Sequence, residues 1–239
     1  VQVAEKFRGQ ANYADDGRTR YLQAVEGMTY GHSREQGVVR GRNFYHEGLG
    51  IALTAPAQWQ VQNSAEAIVL VNGAGDAGLL VRLVPPKAGA THEEVIRNAI
   101  KPTEGRSERR TLHGLAATHF EGSVRNQQGQ SKAVKFTLVT GPGDRNYLLQ
   151  YAAKDAAALQ RAGAGLAEAE SSFRALTAAD RTAARPWSVK TVPYPRGGFA
   201  ELARSSPLPA RAEAQLKLLN SAYSGGAEPK PGQLVKVVN

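Results

Sequence analysis

The spacing of apolar residues predicts a short helix near the start of the chain. From Thr19 to about Met28, apolar side chains recur at every third position, which is typical of one face of an amphipathic helix. Glycines then interrupt the pattern, and the segment from Val38 to Tyr45 is predicted to be extended and flanked by arginines. We therefore expect residues 1–46 to form a helical and extended connector.

Residues 47–180 contain short runs of apolar residues that end at turn-forming glycine, proline and asparagine. The runs predict six strands: 49–54, 67–71, 78–84, 115–124, 132–140 and 145–152. One helix is predicted to begin at Thr91, with Glu94 completing a capping box, and another to run from Asp155 to about Phe173. Because short turns join successive strands, we predict an α+β fold in which a mostly antiparallel sheet packs with helices.

A linker at 181–186 separates a small C-terminal unit, 187–239, from the rest of the chain. Its predicted order is strand, helix, helix, strand: Val189–Val192, Phe199–Arg204, Ala212–Leu219 and Leu234–Val238. Three leucines in the second of these helices supply an apolar face.

The formal net charge of +9 raises nucleic acid as a partner, but the distribution of charge disfavours it. The densest basic run, Arg106–Arg110, contains a glutamate, and aromatic residues are not interleaved with the basic ones. A solvated basic surface, or one near anionic lipid or cell wall, fits this pattern better. The absence of cysteine excludes disulfides, thiolate zinc sites and a cysteine nucleophile.

No transmembrane segment is predicted, because no apolar run approaches 18 residues. The chain begins at Val1 without a signal peptide, which is compatible with a mature exported form or with a piece of a longer protein.

The histidines do not form a recognisable metal site. His92 and Glu93 begin like a zinc-peptidase motif, but Ile96 stands where the second histidine is required. His113 and His119 would lie about 20 Å apart on one strand, and a hairpin between them would bring them closer without supplying a third ligand. We also find no nucleophile elbow, so we expect no catalytic residue and no metal ligand in this chain.

The segment from Tyr21 to His46 reads YLQAVEGMTYGHSREQGVVRGRNFYH. It resembles the segment that follows the catalytic domain in periplasmic zinc metallopeptidases of the CAAX-protease/HtpX type. The resemblance implies that the zinc ligands, and the zinc cofactor, belong to a domain upstream of Val1. It also implies that side chains of this segment contact that missing peptidase domain: Tyr21, Tyr30, Arg40, Arg42, Phe44 and His46.

Two further resemblances concern the rest of the chain. Leu49–Leu53, with Pro56 and Trp59, resembles the opening of PsbP/Mog1-like domains, and the residues before Leu176 resemble their closing helix. Residues 188–238 resemble a LysM module, a type that binds N-acetylglucosamine glycans such as peptidoglycan. The usual Gly-Asp-Thr-Leu before the first LysM helix is here Arg-Gly-Gly-Phe. The resemblance implies three candidate glycan contacts, Arg196, Gly197 and Asn220.

Together these patterns predict the non-catalytic C-terminal region of an exported, periplasmic zinc metallopeptidase. Such a region would serve docking, substrate access or placement in the envelope. The alternative from a different class is a stand-alone envelope protein that binds peptidoglycan through 187–239. An autonomous hydrolase is disfavoured because the chain lacks a catalytic constellation.

Overall fold

The computed structural model describes residues 17–31, 35–64, 66–222 and 228–239. These residues form two compact units. The sheet unit comprises the described residues from 35 to 185, and the tail unit combines 17–31 with the described residues from 186 to 239. The described part of the predicted connector is therefore divided between the two units.

The elements in chain order are α1 Arg18–Val25, β1 Thr29–Tyr30, β2 Val38–Arg40, β3 Asn43–His46, β4 Ile51–Thr54, β5 Gln60–Asn63, β6 Ile68–Val71, β7 Ala77–Leu83, α2 His92–Val95 (continued by π-helical turns over Ile96–Ile100), β8 Glu104–Leu112, β9 Leu115–Arg125, β10 Ser131–Gly141, β11 Arg145–Ala153, α3 Ala156–Ser171, β12 Arg174–Ala175, α4 Ala178–Ala183, β13 Trp187–Pro193, α5 Gly198–Arg204, α6 Ala212–Leu219 and β14 Leu234–Val238. Single 3-10 turns cover Pro86–Ala88 and Pro142–Asp144.

Two antiparallel sheets build the sheet unit. The larger has seven strands in the order β5-β6-β7-β11-β10-β9-β8, and the smaller has four in the order β12-β4-β3-β2. All of the described strand pairs are antiparallel. The predicted α+β class with a mostly antiparallel sheet is confirmed.

The main core lies on one face of the seven-stranded sheet, where α3 and the smaller sheet contribute apolar side chains. Its fully buried members include Phe44, Leu53, Leu79, Leu149, Leu166 and Phe173. Trp59 packs against the middle of α3, where a Cβ on Gly165 would lie 2.6 Å from the indole ring. The glycine that weakens the helix by propensity is thus required by the packing of the tryptophan.

The second core of this unit lies on the opposite face of the seven-stranded sheet and includes α2. Phe120 and Phe136 stack there with ring centroids 5.0 Å apart, together with the buried Val95 and Ile96. The predicted capping box is present, because the Thr91 side chain accepts a hydrogen bond from the Glu94 N–H and the Glu94 carboxylate accepts one from the Thr91 N–H.

Two sequence-based expectations about this unit are corrected. β8 was not predicted, because its residues are solvated on both faces and show no apolar period. The predicted linker 181–186 begins inside α4, which Thr177 and Asp180 start with a capping box. Arg174 pairs with Asp180 and holds the pKa of that carboxyl well below its usual range.

The tail unit has the predicted strand–helix–helix–strand order. β13 and β14 pair in antiparallel fashion around a core that includes Phe199, Leu216 and Val235. The other edge of β13 pairs with β1, so part of the predicted connector completes a three-stranded sheet. The Glu26 carboxylate accepts two hydrogen bonds from Thr191, one from its N–H at 2.7 Å and one from its hydroxyl at 2.6 Å.

Candidate functional site

Tyr21 and Tyr30, the first two predicted interdomain contacts, lie in the tail unit. Tyr21 is 52% exposed, and the Lys236 ammonium lies 4.9 Å from the centroid of its ring. The Tyr30 hydroxyl donates to Gln215 Oε1 at 3.4 Å, and its ring packs against the tail core. Tyr21 therefore offers an outer aromatic surface, while Tyr30 is mainly used within the unit.

Arg40 and Arg42 lie in the sheet unit, and both donate hydrogen bonds to backbone carbonyls. Arg40 donates to the Arg185 carbonyl at 2.7 Å, and Arg42 donates to the Ala55 carbonyl at 2.9 Å. The Arg40 bond ties β2 to a residue 145 positions away, and the Arg42 bond ties the turn after β2 to the residue that follows β4. The two guanidinium groups are thus already engaged inside the sheet unit.

Phe44 is fully buried in the main core, so it has no surface to offer a partner domain. Its ring also explains a glycine of the motif. Gly37 has φ +83°, and a Cβ there would lie 2.5 Å from the Phe44 ring. Glycine is required at this position by both the backbone conformation and the close approach.

His46 is half-buried at the end of β3. Its Nδ1 accepts a hydrogen bond from the Leu49 N–H at 3.2 Å. Burial lowers the pKa of His46, and the Arg145 cation lowers that pKa further. The ring is therefore neutral near pH 7, with its proton on Nε2.

His46 also lines a cavity of about 590 Å³ in the sheet unit, which is within the usual size range of small-molecule sites. The lining divides into an apolar set, Leu49, Ala67, Ile68, Val81 and Leu83, and a polar set, Glu35, Gln36, His46, Asn63, Ser64 and Glu66. Ile68 and Val81 belong to the main core, whereas Glu35 and Glu66 are exposed. The cavity can hold an apolar group beside carboxylates. The sequence pointed to His46 but did not indicate the cavity.

The three candidate glycan contacts lie in the tail unit and differ in how they are used. Arg196 is exposed in the turn before α5, and the Gly197 N–H donates to the Glu201 carboxylate at 3.1 Å. Asn220 binds β14 instead: its amide donates to the Lys236 carbonyl at 2.7 Å and accepts from the Lys236 N–H at 2.8 Å. The Asn220 side chain is therefore structural, whereas the Arg196 side chain is exposed at the surface of the tail unit.

A buried polar cluster that the sequence did not indicate lies where α3 meets β9 and β10. His119 and Glu170 are both 4% exposed, and His119 Nδ1 lies 3.9 Å from Glu170 Oε2. His119 Nδ1 lies 2.7 Å from Thr137 Oγ1, and its Nε2 lies 3.3 Å from Glu121 Oε1. Burial and the Glu170 charge raise the pKa of the neighbouring Tyr151 far above its usual value.

One oxygen of this cluster has no hydrogen-bond partner. Glu121 can only accept, so His119 Nε2 carries a proton, and His119 Nδ1 contacts the Thr137 hydroxyl. Glu170 Oε2 is the buried side-chain atom without a hydrogen-bond partner among the described residues. An unsatisfied buried carboxylate oxygen is costly, which marks this cluster as a candidate functional site.

His92 forms a second network, on the opposite face of the same strands. Its Nδ1 lies 2.8 Å from Thr118 Oγ1 and its Nε2 lies 3.0 Å from Thr140 Oγ1, while Thr140 donates to Asn146 at 2.9 Å. Each group has a matching partner if the His92 proton is on Nε2. Burial lowers the pKa of His92, with Glu93 and Asn146 acting in the opposite direction.

His113 and His119, the two histidines considered as a pair of metal ligands, make hydrogen bonds to different groups. His113 is in the two-residue turn between β8 and β9, and its Nε2 lies 2.7 Å from the Ser171 carbonyl. Across the part of the chain that the structure describes, no three His, Asp or Glu side chains are grouped closely enough to hold a metal ion. None of the helices in the described ranges is long and apolar enough to span a membrane.

The sequence matches no protein-family model and no curated protein. Solved structures that this chain matches include the cyanobacterial PsbP (CyanoP) from Synechocystis sp. PCC 6803, with a TM-score of 0.38 and 14% identity over 61% of this chain and 98% of that one. They also include LpqN, involved in cell envelope biogenesis of Mycobacterium tuberculosis, with a TM-score of 0.36 and 16% identity over 66% of this chain and 96% of that one. Neither similarity assigns an activity or a residue to this chain.

Proposed function

We propose that this chain is the non-catalytic C-terminal region of an exported zinc metallopeptidase. In that protein it would dock to the peptidase domain, restrict access to the active-site cleft or place the enzyme near envelope substrates. The zinc ion and its ligands would belong to the upstream domain. The observation that carries the proposal is the Tyr21–His46 segment, which resembles the joint after the catalytic domain of such enzymes.

The location of this segment in the fold is compatible with a joint. Its first part supplies α1 and β1 to the tail unit, and its later part supplies β2 and β3 to the sheet unit. A domain fused ahead of it would therefore be followed at once by two folded units. Of the predicted contact residues, Tyr21 retains an exposed surface for such a partner, while Phe44 serves the core.

The genome offers the first test. Reading the codons upstream of Val1 should show an in-frame His-Glu-x-x-His motif within a few hundred residues. If no such motif is encoded there, the peptidase proposal fails.

Proteolysis by purified protein is the second test. The full-length polypeptide should cleave an unfolded substrate, lose activity with a chelator and regain it with zinc, whereas residues 1–239 alone should be inactive. A matched control replaces the glutamate of the upstream motif with glutamine and should also be inactive. Chelator-sensitive cleavage by residues 1–239 alone would show that the chain itself is catalytic and overturn the proposal.

The tail unit supports a second candidate function, peptidoglycan binding in the envelope. Its strand–helix–helix–strand order is that of the LysM module which its sequence resembles, and Arg196 is exposed at the turn before α5. Cosedimentation with purified peptidoglycan tests this. Retention should disappear when 187–239 is deleted and fall in Arg196→Ala without a change in unfolding midpoint. Retention that survives the deletion contradicts this candidate.

A further inference from the structure

The outer edge of β8 is long and uncovered. All of its residues from Glu104 to Thr111 are exposed, and no described strand pairs with its outer side. Edge strands of this length are usually protected by charged side chains, a proline, a bulge or a covering element. β8 contains no proline, its register with β9 is continuous from Glu104 to Leu112, and its charged side chains are the protection that remains. Its backbone can therefore accept another strand whose side chains match those charges.

The hydrogen-bonding phase of this edge follows from the turn between β8 and β9. His113 and Gly114 both have positive φ, +47° and +82°, in a two-residue turn that makes Leu112 and Leu115 a hydrogen-bonded pair. The even-numbered residues of β8 therefore direct their N–H and C=O groups to β9. The odd-numbered residues, Gly105 to Thr111, direct theirs outward.

The charges on one face of β8 alternate in sign. Glu104, Arg106, Glu108 and Arg110 share a face because they are two residues apart. Arg110 bonds its own Glu108 at 3.0 Å, while Arg106 and Glu104 form no ion pair with any described residue. A face that reads minus, plus, minus, plus is self-complementary when a copy of it runs in the opposite direction.

We propose that β8 pairs with β8 of a second copy of this chain, antiparallel and centred on Ser107. In this register Glu104 of one copy faces Arg110 of the other, and Arg106 faces Glu108. The two-fold symmetry repeats both contacts, so opposite charges meet at four places. On the other face, Gly105 lies opposite Arg109 and leaves room for the ion pair between Arg109 and Glu93.

Neighbouring registers with the same hydrogen-bonding phase are unfavourable. Centring the pair on Glu108 sets Arg106 against Arg110 and Glu108 against itself. Centring it on Arg106 sets Glu104 against Glu108 and Arg106 against itself. Like charges directly opposite each other across strands are destabilising, so the charge pattern selects the register centred on Ser107.

Charge-swapped variants give a sharp test by sedimentation velocity. The wild type should dimerise weakly, in a range up to about 1 mM, because one strand pair buries little surface. Arg106→Glu/Arg110→Glu makes the face all negative, and Glu104→Arg/Glu108→Arg makes it all positive. Each variant alone should raise Kd about tenfold or more, and an equimolar mixture should form the heterodimer.

Proline variants test the backbone part of the proposal. Ser107→Pro removes an outward N–H at the centre and should abolish the dimer, while the bonds between β8 and β9 remain. Thr111→Pro removes an outward N–H beyond the paired residues 104–110 and should leave the dimer intact. Far-UV circular dichroism and unfolding midpoints confirm that each variant is folded.

Two results would overturn the proposal. One is a wild type that stays monomeric up to about 1 mM at low salt, where surface ion pairs are strongest. The other is a dimer that persists in folded Ser107→Pro or forms equally well in the two unmixed charge variants, because that dimer would use another surface. A β8 edge that instead binds only a foreign extended peptide would leave the wild type monomeric and give the first result.

Discussion

His92 contacts one face of strands β9 and β10, and His119 projects from the other face of β9, yet their surroundings differ. Around His92 every polar group described above has a partner, because two threonine hydroxyls and Asn146 match the donors and acceptors of the ring. Around His119 the buried Glu170 keeps one oxygen without a partner. A fully satisfied network stabilises a fold, whereas a partly satisfied one lowers stability and indicates a functional demand.

Removing His92 should have the largest effect on stability. His92→Ala leaves the buried Thr118 hydroxyl without its partner and removes one of the two partners of Thr140, so we expect the free energy of unfolding to fall by about 3 kcal/mol. Urea denaturation measures this loss. Arg97→Ala, an exposed change in the π-helical turns after α2, is the matched control and should stay within about 0.5 kcal/mol of wild type. Equal losses in the two variants would contradict the importance of the network.

Two half-buried histidines, His92 and His46, predict that the stability of the fold depends on pH. The pKa of His92 and that of His46 are lower in the folded chain than their usual value of 6.5, so the unfolded chain binds protons first as pH falls. Stability is fully present above that value and is lost on acidification, with a slope of at most about 1.4 kcal/mol per pH unit for each histidine. Urea denaturation measured between about pH 7.5 and 5.5 isolates the histidines, because carboxylates titrate at lower pH. His92→Gln and His46→Gln should each flatten the slope, and an unchanged slope in both would show that other groups control it.

Local patterns predicted much of the fold and little of the His119 and His92 sites. The apolar face of Ala212–Leu219 and the capping box at Thr91 are local signals, and both elements are present as expected. β8 lacks an apolar period because both of its faces are solvated. The partners of His92 are 26 and 48 residues away in sequence, so no local pattern could reveal that network.

Glu170 escaped notice for the same reason. In sequence it is one of two glutamates in an alanine-rich helix, and its burial depends on how α3 packs against β9 and β10. The apolar runs and turn residues predicted the general order of strands and helices. They gave no information about which polar side chains meet between them.

Replacing Glu170 should have the opposite sign to replacing His92. Glu170→Met keeps the length of the side chain and removes the unsatisfied oxygen, so we expect the free energy of unfolding to rise by about 1 kcal/mol. Glu168→Met, an exposed glutamate in the same helix, is the control and should change little. A loss of more than about 1 kcal/mol in Glu170→Met would mean that the carboxylate stabilises the fold.

The rim of the His119 cluster should contribute least. Lys135 pairs with Glu121, and both side chains are partly exposed, at 37% and 58%. Lys135→Ala should therefore cost about 0.5 kcal/mol, and a double-mutant cycle with Glu121→Ala should give a coupling of about 0.2–1 kcal/mol that falls in high salt. A coupling well above that range would make the pair part of the stabilising framework. If the coupling is small and Glu170→Met is stabilising, the polar groups around His119 are not retained for stability. The cluster, rather than the satisfied network of His92, is then the place in the sheet unit to seek a bound partner or a proton-transfer role.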